Sequence, residues 1–205
     1  MFTSTPINIQ EQPLESIILK AKSGQSLSFL KQTALIFAST LLIALAARVQ
    51  VQLGAIPFTL QSAAVILVGM MLGAKRGFAT VILYLFEGFM GAPVFSGGAG
   101  GAHLLFHPTI GYLAAFAPAA WLSGYLVERG FGRRFLSVWI ASLLSAAIIF
   151  AGGYSVLAWM MGAKRAFTVG VLPFIYTEPV KLLILSVMIP HLWRPRSSNT
   201  THNAK

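Results

Sequence analysis

Six apolar segments, separated by short polar or glycine-rich stretches, constrain the fold of this chain more than any other feature. They cover residues 31–53, 59–72, 78–92, 109–127, 135–161 and 171–193. Crossing a bilayer takes about 20 apolar residues, so the second and third segments are expected to be tilted, irregular or partly enclosed. Only 10% of the residues are charged, against roughly 25% in soluble domains. The sequence therefore predicts an all-α membrane protein with six transmembrane helices in one compact bundle.

The distribution of Lys and Arg predicts the orientation of this bundle, because cytoplasmic loops are enriched in both residues. With a cytoplasmic N-terminus, eleven basic residues fall inside and three fall outside. The inside residues are Lys20, Lys22, Lys31, Lys75, Arg76, Arg129, Arg133, Arg134, Arg194, Arg196 and Lys205. The outside residues are Arg48, Lys164 and Arg165. Both termini are therefore predicted to be cytoplasmic.

Three regions are predicted along the chain: a polar N-terminal segment at 1–30, a membrane domain at 31–193 and a polar tail at 194–205. The apolar spacing within 14–30 is compatible with an interfacial helix, and no cleavable signal peptide is expected. The net charge is +10, but the basic residues are scattered between apolar runs. This pattern argues against nucleic-acid binding and favours contact with anionic membrane lipids. The absence of cysteine excludes disulfides and thiolate metal sites.

Two opposite charges, Glu178 and Lys181, lie inside the sixth apolar segment. A charged side chain at the centre of a membrane helix costs about 3 kcal/mol on insertion scales, so such residues usually have a function. Residues three apart share one face of a helix, and this pair is therefore predicted to project into one solute cavity. The alternatives are an ion pair that only joins helices, and a lysine that reaches the membrane surface.

A glycine-rich loop, residues 93–108, joins the third and fourth segments and contains no Lys or Arg. Gly97, Gly98, Gly100 and Gly101 stand within five consecutive positions. Glycines let backbone amides approach a ligand closely, or let a loop move as a lid. The alternative is an ordinary flexible turn. Neither of the common nucleotide-binding glycine motifs is present in the sequence.

Polar residues also mark the entry to the second segment, where Thr59, Gln61 and Ser62 follow Pro57. A proline before a short apolar run predicts a break in the backbone at this point. The Gln61 carboxamide offers two donors and one acceptor to a polar solute. Capping of the helix, or hydrogen bonding between helices, is an equally open interpretation.

Glu87 interrupts the third segment, and its carboxyl is expected to be neutral, paired with Arg48 or Lys181, or turned toward a ligand. A structural or lipid-edge role is the preferred interpretation. His103 and His107 have a spacing that binds zinc on helices, but they lie in a loop without accompanying carboxylates or cysteines. No metal site is therefore predicted.

Small side chains line one face of the first segment at Ala34, Ala38 and Ser39. Such a surface suits close packing against another membrane helix. The chain has no aspartate and only five acidic residues, and it lacks the common hydrolase and metalloprotease motifs. Catalytic activity is therefore not expected.

Four sequence blocks, taken in order, resemble the BioY family, the biotin-binding S-components of energy-coupling factor (ECF) vitamin transporters. The blocks are Ile56-Pro-Phe-Thr-Leu-Gln61, Leu72-Gly-Ala-Lys-Arg-Gly77, Tyr84-Leu-Phe-Glu-Gly-Phe-Met-Gly-Ala-Pro-Val-Phe-Ser-Gly-Gly-Ala-Gly-Gly101 and Pro108-Thr-Ile-Gly-Tyr112. The chain departs from the family pattern at four positions. His107 and Ile110 replace glycines, Glu178 replaces an aspartate, and Glu87 replaces an apolar residue.

The resemblance implies that the bound solute is biotin, with no cofactor. Biotin has a ureido ring, an apolar sulfur ring and a carboxylate tail. Glu178 would accept the ureido hydrogens, and Lys181 would pair with the carboxylate or orient Glu178. The remaining site residues implied are Gly97, Gly98, Gly100, Gly101, Thr59 and Gln61 as hydrogen-bonding groups, and Phe58, Phe95 and Tyr112 as apolar walls.

The resemblance also implies partners, since the chain has no ATP-binding motif. These are a transmembrane coupling protein and two cytoplasmic ATPases. The face of Ala34, Ala38 and Ser39 would dock the coupling protein, and the bundle would topple to release its ligand. The main alternative is a stand-alone proton-coupled or facilitative carrier, with Glu87 and Glu178 carrying the proton. Further alternatives are a membrane-integral enzyme or assembly subunit and an S-component for another vitamin, such as thiamine or riboflavin.

Overall fold

Seven α-helices form the structure, a computed structural model that describes residues 29–51 and 56–192. In chain order they are α1 (Phe29–Arg48), α2 (Gln61–Leu72), α3 (Ala74–Phe89), α4 (Ile110–Leu126), α5 (Phe135–Met161), α6 (Ala163–Gly170) and α7 (Leu172–Leu192). Between α1 and α2, β1 (Gln50–Val51) and β2 (Phe58–Thr59) pair as antiparallel strands. The predictions for the N-terminal segment and the C-terminal tail fall mostly on residues outside this description.

The helices agree with the predicted apolar segments to within two residues for α2, α4, α5 and α7. The first segment was predicted to continue to residue 53, but its helix ends at Arg48 because the chain turns into β1. The third helix begins at Ala74, four residues earlier than predicted, because Gly73 breaks the chain at a φ of 83° and a new helix follows at once. Helix α6 was not predicted at all.

Four helical stretches of the described residues are long and apolar enough to cross a membrane. They are Lys31–Arg48, Ile110–Phe131, Phe135–Met161 and Ala163–Pro190. In contrast, α2 has 12 residues, a length of about 18 Å at 1.5 Å per residue. Ten of those residues are buried, which favours partial enclosure by the bundle among the three expected alternatives.

Close backbone contacts at glycines hold the central helices together. A Cβ at Gly69 of α2 would lie 2.2 Å from the Ala120 carbonyl oxygen of α4, and one at Gly77 of α3 would lie 2.8 Å from the Gly69 Cα. Likewise, a Cβ at Gly152 of α5 would lie 2.8 Å from the Gly111 carbonyl oxygen of α4. Side chains larger than hydrogen do not fit at these crossings, so small residues set the helix spacing.

The two ends of the bundle differ in charge. At one end, the Glu128 carboxylate accepts a hydrogen bond from the Ala74 backbone N–H at 2.9 Å, which joins the end of α4 to the α2–α3 turn. Exposed basic residues surround this contact, and we call it the basic end: Lys75, Arg76, Arg129, Arg133 and Arg134. The opposite end carries the starts of α2 and α4 together with the glycine-rich loop, and the cavity described below opens there.

Gly152→Leu should destabilise the bundle, because its side chain would be forced against Ala115 and the Gly111 carbonyl of α4. Overpacking of this kind costs about 1–3 kcal/mol. Thermal unfolding in detergent measures the effect. The neighbouring Ala151→Leu is the matched control, since Ala151 is exposed on the same helix. Equal melting temperatures for the two variants would contradict the close α4–α5 packing.

Candidate functional site

A cavity of about 340 Å³ lies at the end opposite the basic end. It is bounded by the first turn of α2, the glycine-rich loop, the start of α4, the middle of α5 and the first half of α7. Its principal lining residues are Gln61, Ser62, Phe95, Gly97, His107, Thr109, Tyr112, Phe116, Phe150, Phe174, Glu178 and Lys181. Pockets of this size, apolar with a few converging polar groups, are typical of small-molecule sites.

Glu178 and Lys181 both border this cavity, and they also contact each other. The Lys181 Nζ lies 2.5 Å from Glu178 Oε2, and the Ser62 hydroxyl donates to Glu178 Oε1 at 2.7 Å. The Lys181 ammonium further donates to the Thr59 carbonyl at 2.9 Å and to Ser62 Oγ at 3.1 Å. Helix α7 is thereby bonded to the start of α2 along one wall of the cavity.

Lys181 and Glu178 differ in how fully their polar atoms are hydrogen-bonded. The Lys181 ammonium has three oxygen neighbours: it donates hydrogen bonds to the Thr59 carbonyl and to Ser62 Oγ, and it forms an ion pair with Glu178. By contrast, Glu178 Oε2 is buried and has no hydrogen bond of suitable angle among the described residues, only the ionic contact with Lys181. Glu178 as a residue lines the cavity, so its carboxylate belongs to the wall that a solute there would contact. The pair is electrically neutral as a unit, which lowers its cost within the membrane.

A second polar chain fixes Gln61, which is 4% exposed. Its Nε2 donates to the Tyr84 hydroxyl at 2.7 Å, and that hydroxyl donates to the Val94 carbonyl at 2.9 Å. Because the amide nitrogen is bonded to Tyr84, the amide oxygen is left available as an acceptor. The Gln61 backbone N–H donates to Thr59 Oγ1 at 3.2 Å, so Thr59 caps the start of α2 as well as bordering the cavity.

Aromatic rings form the apolar part of the site around Phe174. The Phe150 ring centroid lies 5.1 Å from that of Phe174, and Tyr112 is fixed by a 2.7 Å hydrogen bond to the Gly170 carbonyl. Phe58 stacks on Phe174 with ring centroids 4.4 Å apart, but it is not one of the residues that line the cavity. It therefore supports the aromatic wall from behind, contrary to the prediction that it faces the ligand. Phe95 and Tyr112, the other two aromatic residues predicted for the site, both line it.

The glycine-rich loop contributes only one of its four predicted glycines to the lining, Gly97. Gly98 packs against the Arg48 guanidinium, and a Cβ there would lie 2.7 Å from Arg48 Nη1. Gly100 contacts the Ala92 backbone, and the Gly101 N–H donates to the Gly88 carbonyl at 2.7 Å. The structure thus uses three of these glycines to fold the loop.

Two side-chain contacts join this loop to the end of α1 and to β1. Arg48 donates to the Pro93 carbonyl at 2.7 Å, and Ser96 hydrogen bonds with Gln50. Gln50 and Ser96 both border the cavity. The segment containing β1 and the glycine-rich loop therefore meet beside the site.

Glu87 of α3 contacts α1 and is not among the residues that line the cavity. The Thr40 hydroxyl donates to its carboxylate at 3.4 Å, a contact consistent with the structural interpretation. His107 borders the cavity with its Nδ1 2.9 Å from Thr109 Oγ1, whereas His103 is exposed. No group of three or more metal-ligating side chains occurs among residues 29–51 and 56–192.

Several lining residues were missed by the sequence reasoning. Phe150 and Phe174 lie within apolar segments, where an aromatic residue carries no signal that separates a ligand contact from lipid contact. Gln50, Ser96 and Thr109 are polar residues near segment boundaries, and only the tertiary fold brings them together. His107 carried a signal, since it departs from the family pattern directly before the Pro108 block.

Membrane-crossing helices around a cavity with a neutral ion pair and an aromatic wall define an integral membrane protein with a solute-sized internal site. The chain belongs to the BioY family, whose model matches residues 18–198.

Individual relatives agree with this assignment. The chain is 37% identical over 151 residues to the "Probable biotin transporter BioY" of Pyrococcus horikoshii, covering 74% of this chain and 89% of the relative. It is 36% identical to the "Biotin transporter BioY" of Thermotoga maritima, covering 73% and 88%. A crystal structure of the S-component for biotin from an ECF-type ABC transporter superposes with a TM-score of 0.72, at 22% identity over 82% of this chain and 94% of that one. The predicted family and its S-component fold are confirmed.

Lys181→Met should lower the thermal stability of the ligand-free protein by several degrees, because it leaves the buried Glu178 carboxylate without its cation. Adding Glu178→Gln in the same chain should recover most of that loss, since the charge is then removed as well. The measurement is a double-mutant cycle of unfolding midpoints in detergent. Simple addition of the two single losses would show that the side chains are not coupled.

Proposed function

We propose that this chain binds biotin in the cavity beside Glu178 and Lys181 and delivers it across the membrane as the substrate-capture subunit of an ECF-type transporter. The observation that most supports this proposal is the electrically neutral ion pair of Glu178 and Lys181 in the lining of the cavity. A ureido ring is uncharged and has two N–H donors, so it suits such a wall better than a charged group would. The names of the relatives support biotin as the solute.

The two ends of biotin are assigned from the contacts of the site. The Glu178 carboxylate and the amide oxygen of Gln61 are the proposed acceptors for the ureido N–H groups, and both side chains are held in place by other bonds. The apolar sulfur ring packs on the aromatic wall around Phe174 and Tyr112. Fixed acceptors and a rigid apolar surface reduce the entropy lost on binding.

The carboxylate tail is placed away from the ion pair. Lys181 was expected either to pair with this carboxylate or to orient Glu178, and its three contacts support the second role. Uncharged polar groups border the cavity on the side of the glycine-rich loop at Ser96, Gly97 and Thr109. These groups, with His107, are the proposed contacts of the tail.

Lys181→Ala should weaken biotin binding by at least tenfold, because Glu178 loses the ammonium that orients it. Isothermal titration of the purified protein in detergent measures the affinity. Lys164→Ala is the matched control, since Lys164 is exposed and lies outside the cavity.

Biotin methyl ester, titrated in parallel, tests the assignment of the tail. The wild-type protein should bind the methyl ester more weakly than biotin, because uncharged polar groups contact the tail. This loss of affinity should be smaller than the loss of biotin affinity caused by Lys181→Ala. Absence of binding by the wild-type protein would reject the proposed function, and unchanged affinity in Lys181→Ala would reject the role of the pair.

The proposed topology has six membrane-crossing helices, α1 to α5 and α7, with both termini cytoplasmic. The basic end then faces the cytoplasm and the cavity opens outside, as the positive-inside rule favours. The likeness to an S-component of an ECF-type ABC transporter supports a coupling protein in the membrane and cytoplasmic ATPases as the source of energy for uphill transport. A carrier that works alone would instead take up biotin in proteoliposomes that contain this chain only, under a pH gradient and without ATP.

Ala34 and Ala38 are both exposed on α1, while Ser39 is half-buried and bonds to the Leu35 carbonyl. This face is the proposed docking surface for the coupling protein. Ala34→Trp combined with Ala38→Trp should leave biotin binding intact and abolish uptake in cells that contain the coupling protein and ATPases.

The matched control for this docking test is Ala147→Trp combined with Ala151→Trp. These alanines are also four residues apart and exposed, but they lie on α5. Normal uptake in the α1 variant, or equal loss of uptake in both variants, would count against a docking surface on α1.

A further inference from the structure

A groove lies between α3 and α4 at the basic end, with a volume of about 470 Å³. Its lining residues are Lys75 and Phe78 of α3 and Pro118 and Trp121 of α4. None of them borders the biotin cavity. Phe78 and Trp121 are about two-fifths exposed, and because both helices are part of a membrane bundle, the groove opens toward lipid.

One face of α4 changes in character along this groove. Pro118, Trp121, Tyr125 and Arg129 follow one another at intervals of three or four residues, so they share a face, and the last of them lies in the turn after α4. The eleven residue steps from Pro118 to Arg129 span about 16 Å. Moving toward the basic end, the face passes from apolar to aromatic to cationic side chains.

These side chains are held against one another. The Trp121 and Tyr125 rings stack with centroids 5.2 Å apart, and the Arg129 guanidinium lies 4.8 Å above the Tyr125 ring. Stacking on the ring leaves the edges of the guanidinium, with their N–H donors, able to bind an anion. Paired tryptophan and tyrosine rings are typical of the level of lipid headgroups.

The charge around the groove is positive on both helices. Lys75 is exposed at the start of α3, and Arg129 is exposed beyond the end of α4. The neighbouring carboxylate, Glu128, is bonded to the Ala74 N–H and so is already engaged. Lys75 and Arg129 thus flank the α3–α4 groove with cationic donors, where the aromatic pair marks the membrane surface.

We propose that this groove is a binding site for one anionic phospholipid. The phosphate and headgroup lie between Lys75 and Arg129, and one acyl chain follows the apolar surface of Phe78 and Pro118. The occupant is a lipid because the groove faces the bilayer, and it is an anionic lipid because both helices present cations there. Basic pockets between membrane helices bind anionic headgroups in this manner.

Native mass spectrometry of the full-length protein tests the proposal directly. The protein is purified in a mild detergent with equal amounts of phosphatidylglycerol and phosphatidylcholine of the same acyl chains. The wild type should retain phosphatidylglycerol at least fivefold over phosphatidylcholine. Lys75→Gln combined with Arg129→Gln should bring that ratio close to one.

The control variant is Lys164→Gln combined with Arg165→Gln, a basic pair of equal charge at the other end of the bundle. It should keep the wild-type ratio, and biotin titration verifies that each variant is folded. Equal retention of the two lipids by the wild type overturns the proposal. So does an equal loss of selectivity in the control variant, which would mean diffuse attraction to positive charge.

Tryptophan fluorescence of the wild-type protein gives a test that needs no variant. Brominated phosphatidylglycerol should quench the emission at lower mole fraction than brominated phosphatidylcholine does, because a bromine-bearing chain in the groove lies beside Trp121. Equal quenching by both lipids would contradict the site. If the Lys75 and Arg129 variant keeps its lipid selectivity but loses uptake, the surface binds a protein partner and the lipid proposal is wrong.

Discussion

The ion pair of Glu178 and Lys181 is the interaction that organises the site. An isolated charge at this depth would favour unfolding or neutralisation, but here the ammonium pairs with the carboxylate and also donates to the Ser62 hydroxyl and the Thr59 carbonyl. That network needs the break in the chain before α2, because Thr59 precedes the helix and Ser62 lies in its first turn. The cluster of Glu178, Lys181, Ser62 and Thr59 therefore fixes the position of α7 against α2, balances the buried charge and forms one wall of the cavity.

The fold supplies what this cluster requires. Glycine contacts bring α2, α3 and α4 close enough to enclose the short α2, so its polar first turn lies inside the bundle rather than in lipid. The Tyr84 hydroxyl then links Gln61 to the Val94 carbonyl beside the glycine-rich loop. The glycine-rich loop and the ion pair therefore line the same cavity, together with Phe174 and Tyr112.

Much of this arrangement could be predicted from the sequence because polar residues stand out within apolar segments. Glu178, Lys181 and Gln61 were identified in this way, and the helix positions followed from hydropathy. The end of α1 at Arg48 and the presence of α6 were not predicted, because a strand pairing and a short helix with two basic residues leave no clear hydropathy signal. The actual places of Gly98 and Gly100 depend on contacts with Arg48 and Ala92, which residue type alone does not reveal.

We propose that opposite charges persist in the last membrane helix because a neutral ring system occupies the space beside them. A structure of this protein determined with biotin bound is the decisive measurement. The ureido ring should lie within hydrogen-bonding distance of Glu178 and Gln61, the Lys181–Ser62–Thr59 contacts should be unchanged, and the tail should point toward the glycine-rich loop. Biotin density elsewhere, or a carboxylate bound to Lys181 with the pair broken apart, would contradict it.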